Sequence, residues 1–193
     1  MHSEFDYEIT SEKCPGLEYG VINGNCHVVL IKLPRNETIF GYRNKYAKMA
    51  KELRNRLDCS VICANNIGDD VSRKYDVKIL KKYVELRGFY KPEFSFIGIC
   101  EGASFLLSHM SKCIEFKKML LVNMPISYKL GETVNLLSNI DRNKLKFVYG
   151  DKDPSYRYTP LLKRMYAEVI TISGADHYFS DKSCSFIDIQ KLL

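Results

Sequence analysis

The sequence predicts an α/β protein with a mostly parallel sheet flanked by helices. Three observations carry this. Short apolar runs alternate with segments of helical periodicity along most of the chain. The series opens with two strand-like runs joined by Asn23-Gly24-Asn25, a hairpin signal at one edge. The length, 193 residues, suits one core, and no Pro- or Ser-rich linker, repeat or low-complexity tract divides it. Residues 1–193 are therefore read as a single domain.

The elements follow in order. Tyr19–Ile22 and Cys26–Leu33 are the arms of the expected hairpin. The second arm is nearly all apolar, as a strand buried on both faces should be. Tyr46, Met49, Ala50, Leu53 and Leu57 fall on one stripe at the helical period. Cys59–Ala64 is the next strand, and about Val71 to Leu86 the next helix. Phe94–Gly98 is a strand, Ala103–Cys113 a helix, and Lys118–Val122 and Leu145–Tyr149 are further strands. Thr159–Tyr166 is helical, Glu168–Ile172 a strand, and Phe186–Leu193 a closing helix. In such sheets functional groups gather at the carboxyl ends of the strands. The segments after Leu33, Gly98, Val122, Tyr149 and Ile172 are thus the places where chemistry is expected.

The bulk properties narrow the class. Hydrophobic residues make up 46% and charged residues 27%, the balance of a soluble globular chain. The start, Met1-His2-Ser3-Glu4-Phe5-Asp6, lacks a basic and an apolar signal region, and no apolar run is long enough to span a bilayer. The 7 cysteines form no CxxC pair and are odd in number, which predicts free thiols and a cytoplasmic address. Net charge is +6, concentrated in Arg43–Arg56 and Arg73–Arg87. The basic residues there are interleaved with Glu and Asp at helical spacing, so these are read as solvated outer helices. Neither a nucleic-acid nor a membrane partner is expected.

Three strand ends carry chemistry. In Gly98-Ile99-Cys100-Glu101-Gly102, a thiol sits on a strand-to-helix turn between two small residues that let neighbouring chains approach. The helix start favours the thiolate, and the Glu101 N–H is placed to donate to an oxyanion. In Gly150-Asp151-Lys152-Asp153-Pro154, a carboxylate can orient a histidine and stabilise its imidazolium. Spacing favours Asp153, with Asp151 as rival. In Gly174-Ala175-Asp176-His177, an imidazole follows the last strand. The chain has 4 histidines. His2 lies in the terminal tail, His27 in the hairpin and His109 on a helix, so His177 alone stands where it can meet both Cys100 and Asp153.

With these segments the chain resembles the α/β-hydrolase family, from about Tyr19 to Leu193. The elbow at Cys100, the Gly150…Asp153 loop and the Gly174…His177 loop occur in that fold's order of nucleophile, acid and histidine. The cysteine is similar to that of the dienelactone hydrolases, which use a Cys-His-Asp triad. The resemblance implies a single-domain α/β-hydrolase fold. The family often has His-Gly after its third strand, where the backbone supplies a second oxyanion donor. This chain has Leu33-Pro34-Arg35-Asn36. Pro34 has no N–H, so the resemblance assigns that role to Arg35 or Asn36. The stretch from Pro125 to Leu145 is too short for a large lid domain, which implies an open site.

The expected function is hydrolysis of an ester, thioester or lactone through Cys100, His177 and Asp153, by way of a covalent acyl-enzyme. The substrate is a small-molecule or carrier-tethered acyl group. Transfer of the acyl group to an alcohol or amine uses the same triad, and a non-catalytic binding protein on this fold is the alternative from another class. No cofactor is expected. No His/Asp/Glu cluster has metal-ligand spacing, and neither GxGxxG nor GxxxxGKS occurs.

Overall fold

A computed structural model describes residues 4–10, 14–126, 130–165, 168–180 and 185–193. Its strands are β1 (Tyr7–Thr10), β2 (Glu18–Ile22), β3 (Asn25–Arg35), β4 (Cys59–Asn66), β5 (Glu93–Ile99), β6 (Lys118–Val122), β7 (Leu145–Gly150) and β8 (Glu168–Ile172). They form one 8-stranded sheet in the order β1-β2-β4-β3-β5-β6-β7-β8. The pairs β1–β2 and β2–β4 are antiparallel, and the rest are parallel. Helices α1 (Lys45–Leu57), α2 (Asp69–Arg87), α3 (Glu101–Phe105), α4 (Ser111–Cys113), α5 (Leu130–Leu137) and α6 (Thr159–Met165) supply the crossovers.

The pleat of β3 explains why its sequence is almost continuously apolar. Val28 and Leu30 pack with Leu80 of α2 and Phe105 of α3. Val29, Ile31 and Leu33 pack on the other face with Tyr46, Met49 and Leu53 of α1 and with Phe186 and Ile189. Lys32 is the exception in this run and is itself fully buried. Its ammonium lies 2.7 Å from Asp76 Oδ2 of α2 and donates to the Asn65 carbonyl at 2.6 Å. The Tyr19 hydroxyl donates to the other Asp76 oxygen at 2.9 Å. This network ties β2, β3, β4 and α2 together just before the loop that begins at Pro34.

The expected hairpin does not form. β2 and β3 are antiparallel in direction, but β4 lies between them and pairs with both. Asn23-Gly24 instead carries the chain across the start of β4, where the Gly24 N–H donates to Ser60 Oγ at 3.1 Å and Ser60 Oγ donates to the Asn25 carbonyl at 2.8 Å. Every residue of β4 is buried. Placing that strand in the interior outweighs the local turn preference of Asn-Gly.

Smaller differences are local. β1 and α5 were not anticipated, and β3 runs on to Arg35. The helix expected over Ala103–Cys113 begins at Glu101, and its middle, Leu106–Met110, is a π turn. Ser108 and Ser111 each donate to the carbonyl four residues back, at 2.6 Å, which competes with regular helical bonding. The closing segment Phe186–Leu192 is a 3₁₀ helix rather than an α-helix. Tyr166 lies outside the described residues, and α6 ends at Met165. Among the described residues no helix is long and apolar enough to cross a membrane, and no group of three His, Cys, Asp or Glu could hold a metal ion.

Candidate active site

Cys100 follows β5 directly and adopts φ 53° and ψ −121°, a backbone shape that side chains other than hydrogen rarely take. The bend is held by its N–H, which donates to the Val122 carbonyl at 2.9 Å. The flanking glycines are required by close approach. A Cβ on Gly98 would stand 2.4 Å from Ala103 Cα, and one on Gly102 would stand 2.3 Å from the Lys32 carbonyl oxygen. The turn thereby presses α3 onto β3 and aims the thiol out of the sheet.

The other two predicted residues come to the same place. Cys100 Sγ lies 3.0 Å from His177 Nε2. His177 Nδ1 lies 2.5 Å from Asp153 Oδ2, and Asp153 is buried. The second Asp153 oxygen accepts from the Ser155 N–H at 2.6 Å. Asp151 is not the partner of His177. Its carboxylate accepts from Ser173 Oγ at 3.1 Å and from the Gly174 N–H at 2.8 Å, which braces the turn before the histidine. His27 lies away from this site and contacts Ser95 Oγ, while His109 packs against Phe105 in the π turn. His2 lies outside the described residues.

Asn123 was missed by the sequence reading. It is the first residue after β6, with φ 45°. Its Nδ2 donates to the His177 carbonyl at 2.9 Å, and its Oδ1 accepts from the Gly150 N–H at 3.1 Å. One fully buried side chain thus joins the histidine loop to the acid loop. The signal was a polar residue at a strand's carboxyl end, the position where the sheet places functional groups.

The electrostatics differ from the sequence expectation. A helix start was expected to favour the Cys100 thiolate. Burial, a hydrogen bond to the Glu101 carboxylate and the charge of that carboxylate instead raise the Cys100 pKa well above the usual thiol range. Burial of the thiol and the neighbouring carboxylate outweigh the favourable helix start. Glu101 itself is opposed by burial. Hydrogen bonds from the Cys100 thiol, its own N–H and the Arg35 N–H nevertheless hold its carboxyl below the ordinary value. Its side chain therefore sits beside the two backbone donors expected for an oxyanion. His177 is raised above 6.5, first by its hydrogen bond to Asp153, against a lowering by burial.

A cavity of about 170 Å³ opens over the thiol. Pro34, Arg35, Lys45, Tyr46, Glu101 and His177 are among its walls. Arg35 lines it, whereas Asn36, at φ 61°, turns the chain just beyond.

No protein-family model matches the chain, and no curated protein matches it by sequence. Solved structures match it closely in shape. An α/β serine hydrolase homologue from Coxiella burnetii is 17% identical, with a TM-score of 0.69 over 100% of this chain and 96% of that one. A dienelactone hydrolase from Anabaena variabilis is 12% identical, with a TM-score of 0.68 over 96% and 94%. A lid-free α/β serine hydrolase from Xanthomonas campestris is 16% identical, with a TM-score of 0.60 over 91% and 85%. The architecture of this chain is the single-domain α/β-hydrolase fold, without a large lid domain.

Proposed function

We propose that this protein hydrolyses an ester, thioester or lactone through Cys100, His177 and Asp153. The supporting observation is the unbroken line of contacts from Sγ through the imidazole to a buried carboxylate. Asp153 holds the Nδ1 proton, which leaves Nε2 as the acceptor facing the thiol. When the Glu101 carboxylate turns away, the thiol proton it held is redirected to Nε2. As Sγ attacks the carbonyl carbon, that proton passes to Nε2, and a C–S bond forms while the carbonyl oxygen becomes an oxyanion. The N–H groups of Glu101 and Arg35 receive that oxygen once the Glu101 carboxylate turns away from them. Collapse of the tetrahedral intermediate breaks the bond to the leaving group, which takes the proton from Nε2. Water then gives a proton to His177 and attacks the acyl-enzyme, releasing the acid and restoring the thiol.

The raised Cys100 pKa favours a resting thiol over a preformed ion pair. The same observation favours a second reading, a ligand-binding protein that keeps the fold without turnover. Activity of wild type and Cys100→Ala on p-nitrophenyl and thioester substrates separates the two. The hydrolase reading predicts wild-type turnover and its loss in the variant. Adding an alcohol or amine and analysing products distinguishes hydrolysis from acyl transfer.

A further inference from the structure

The cavity over Cys100 shares Glu37, Lys45, Tyr178 and Phe186 with a second, larger cavity of about 500 Å³. Tyr42, Arg43 and Lys48 also line the larger one. Three cations thus face one carboxylate, Glu37, among the described residues of its wall. Lys45 is half-buried, and its ammonium lies 4.8 Å from the Tyr46 ring centre and 5.3 Å from that of Phe186. Arg43, Lys45 and Lys48 form no ion pair within 4.0 Å among the described residues. Three cations share the single carboxylate Glu37 without a close ion pair, which leaves positive charge for an anion to take up. Burial also pulls the Lys45 pKa down, opposed by Glu37. Two exposed aromatic rings stand beside these charges: Tyr42 at 72% exposure, with the Arg43 guanidinium carbon 5.1 Å from one face of its ring, and Tyr178 at 70%, packed edge-on against His177.

The position relative to the chemistry is informative. Tyr178, Phe179 and Ser180 in this wall follow His177 directly in the chain. His177 is the group that returns the proton to whatever departs from the acyl carbon. The larger cavity therefore adjoins the thiol's own cavity through the wall that carries Tyr178, next in the chain to the histidine. Its volume is that of a small-molecule site.

We propose that this second cavity binds the phosphorylated part of a thiol leaving group, with phosphate at Arg43, Lys45 and Lys48 and a planar group against Tyr42 and Tyr178. The substrate is then a thioester of a phosphate-bearing thiol. A single carboxylate needs only one of the three cations, whereas phosphates engage several. Placing the leaving group in this cavity is part of the proposal, and it rests on the acyl-enzyme reading above.

Calorimetric titration tests it with three thiols: coenzyme A, 4′-phosphopantetheine and pantetheine. Coenzyme A is expected to bind at least about tenfold more tightly than pantetheine, with 4′-phosphopantetheine between them. The preference should shrink as salt is raised and be lost in an Arg43→Gln/Lys48→Gln double variant whose melting curve shows it folded. Equal binding of coenzyme A and pantetheine overturns the proposal. Tighter binding of a DNA duplex than of coenzyme A, lost in the same variant, also overturns it and assigns the surface to nucleic acid. Binding of 4′-phosphopantetheine as tight as that of coenzyme A overturns the assignment of a planar group to Tyr42 and Tyr178. Turnover of acyl-coenzyme A by Cys100→Ala would instead defeat the catalytic reading, while the thiol titration would still report on the cavity.

Discussion

The Asp153 carboxylate lies 2.5 Å from His177 Nδ1, and its other oxygen is pinned by the Ser155 N–H. That contact fixes which ring nitrogen carries the proton. Asp153→Asn offers an amide that can hold the wrong tautomer, so kcat/KM should fall by about a thousandfold or more. Asp151→Asn touches only the brace to Ser173 and Gly174, and should cost less than about tenfold. Steady-state kinetics on a p-nitrophenyl ester compare the two. Equal losses would contradict the roles assigned.

The same contact sets a pH dependence. His177 must be neutral to accept the thiol proton, and its pKa is raised above 6.5. The rate should therefore rise with pH through an apparent pKa above 6.5. Stability runs the opposite way. A raised histidine pKa stabilises the fold fully below its unfolded value, and this is lost as pH rises through the folded value. Asp153→Asn should move the rate profile toward lower pH and flatten this part of the stability profile. A pKa at or below the ordinary histidine value in wild type would contradict the geometry.

Glu101 governs the resting thiol. Glu101→Gln keeps the side-chain shape but removes the charge that helps raise the Cys100 pKa. Alkylation of Cys100 by iodoacetamide at neutral pH should become faster, by about tenfold for each unit that the pKa falls. Peptide mapping by mass spectrometry reads this at Cys100 alone. An unchanged labelling rate would show that burial, and not this carboxylate, sets the thiol's protonation.

The Lys32–Asp76 pair is a matter of stability. Both side chains are fully buried. Burial raises the Asp76 pKa, while Lys32 and Tyr19 act to lower it. Lys32→Met or Asp76→Asn each leaves a buried charge without its partner and should cost about 3–5 kcal/mol in urea unfolding. The double variant should cost less than the sum of the two. Additive losses would mean that the two groups do not depend on each other.

Much of the fold was legible because β3, β4 and β5 are buried on both faces and so read as apolar runs. The site was legible for a different reason. Cys100, Asp153 and His177 each follow a parallel strand of the sheet, the end at which such sheets gather functional groups. What the sequence hid was non-local. The pairing of β2 with β4 rather than β3 depends on a strand that comes much later in the chain. Lys32 reads as a polar intrusion until Asp76 and Tyr19 are seen around it. Asn123 stands at a legible strand end, but its link between the loops of Gly150 and His177 is made across the sheet and not along the sequence. The upward shift of the thiol pKa was not legible because the helix start is visible in sequence, whereas burial and the fold-back of Glu101 are not.

The central claim is an acyl group carried on Cys100. Mixing the protein with an acyl thioester or p-nitrophenyl ester and quenching within the first turnover allows intact-mass and peptide analysis of the adduct. A mass increase equal to the acyl group, located at Cys100, absent in Cys100→Ala and decaying as acid is released, is the expected result. Hydrolysis that persists in Cys100→Ala, or turnover with no adduct on Cys100, would contradict the account.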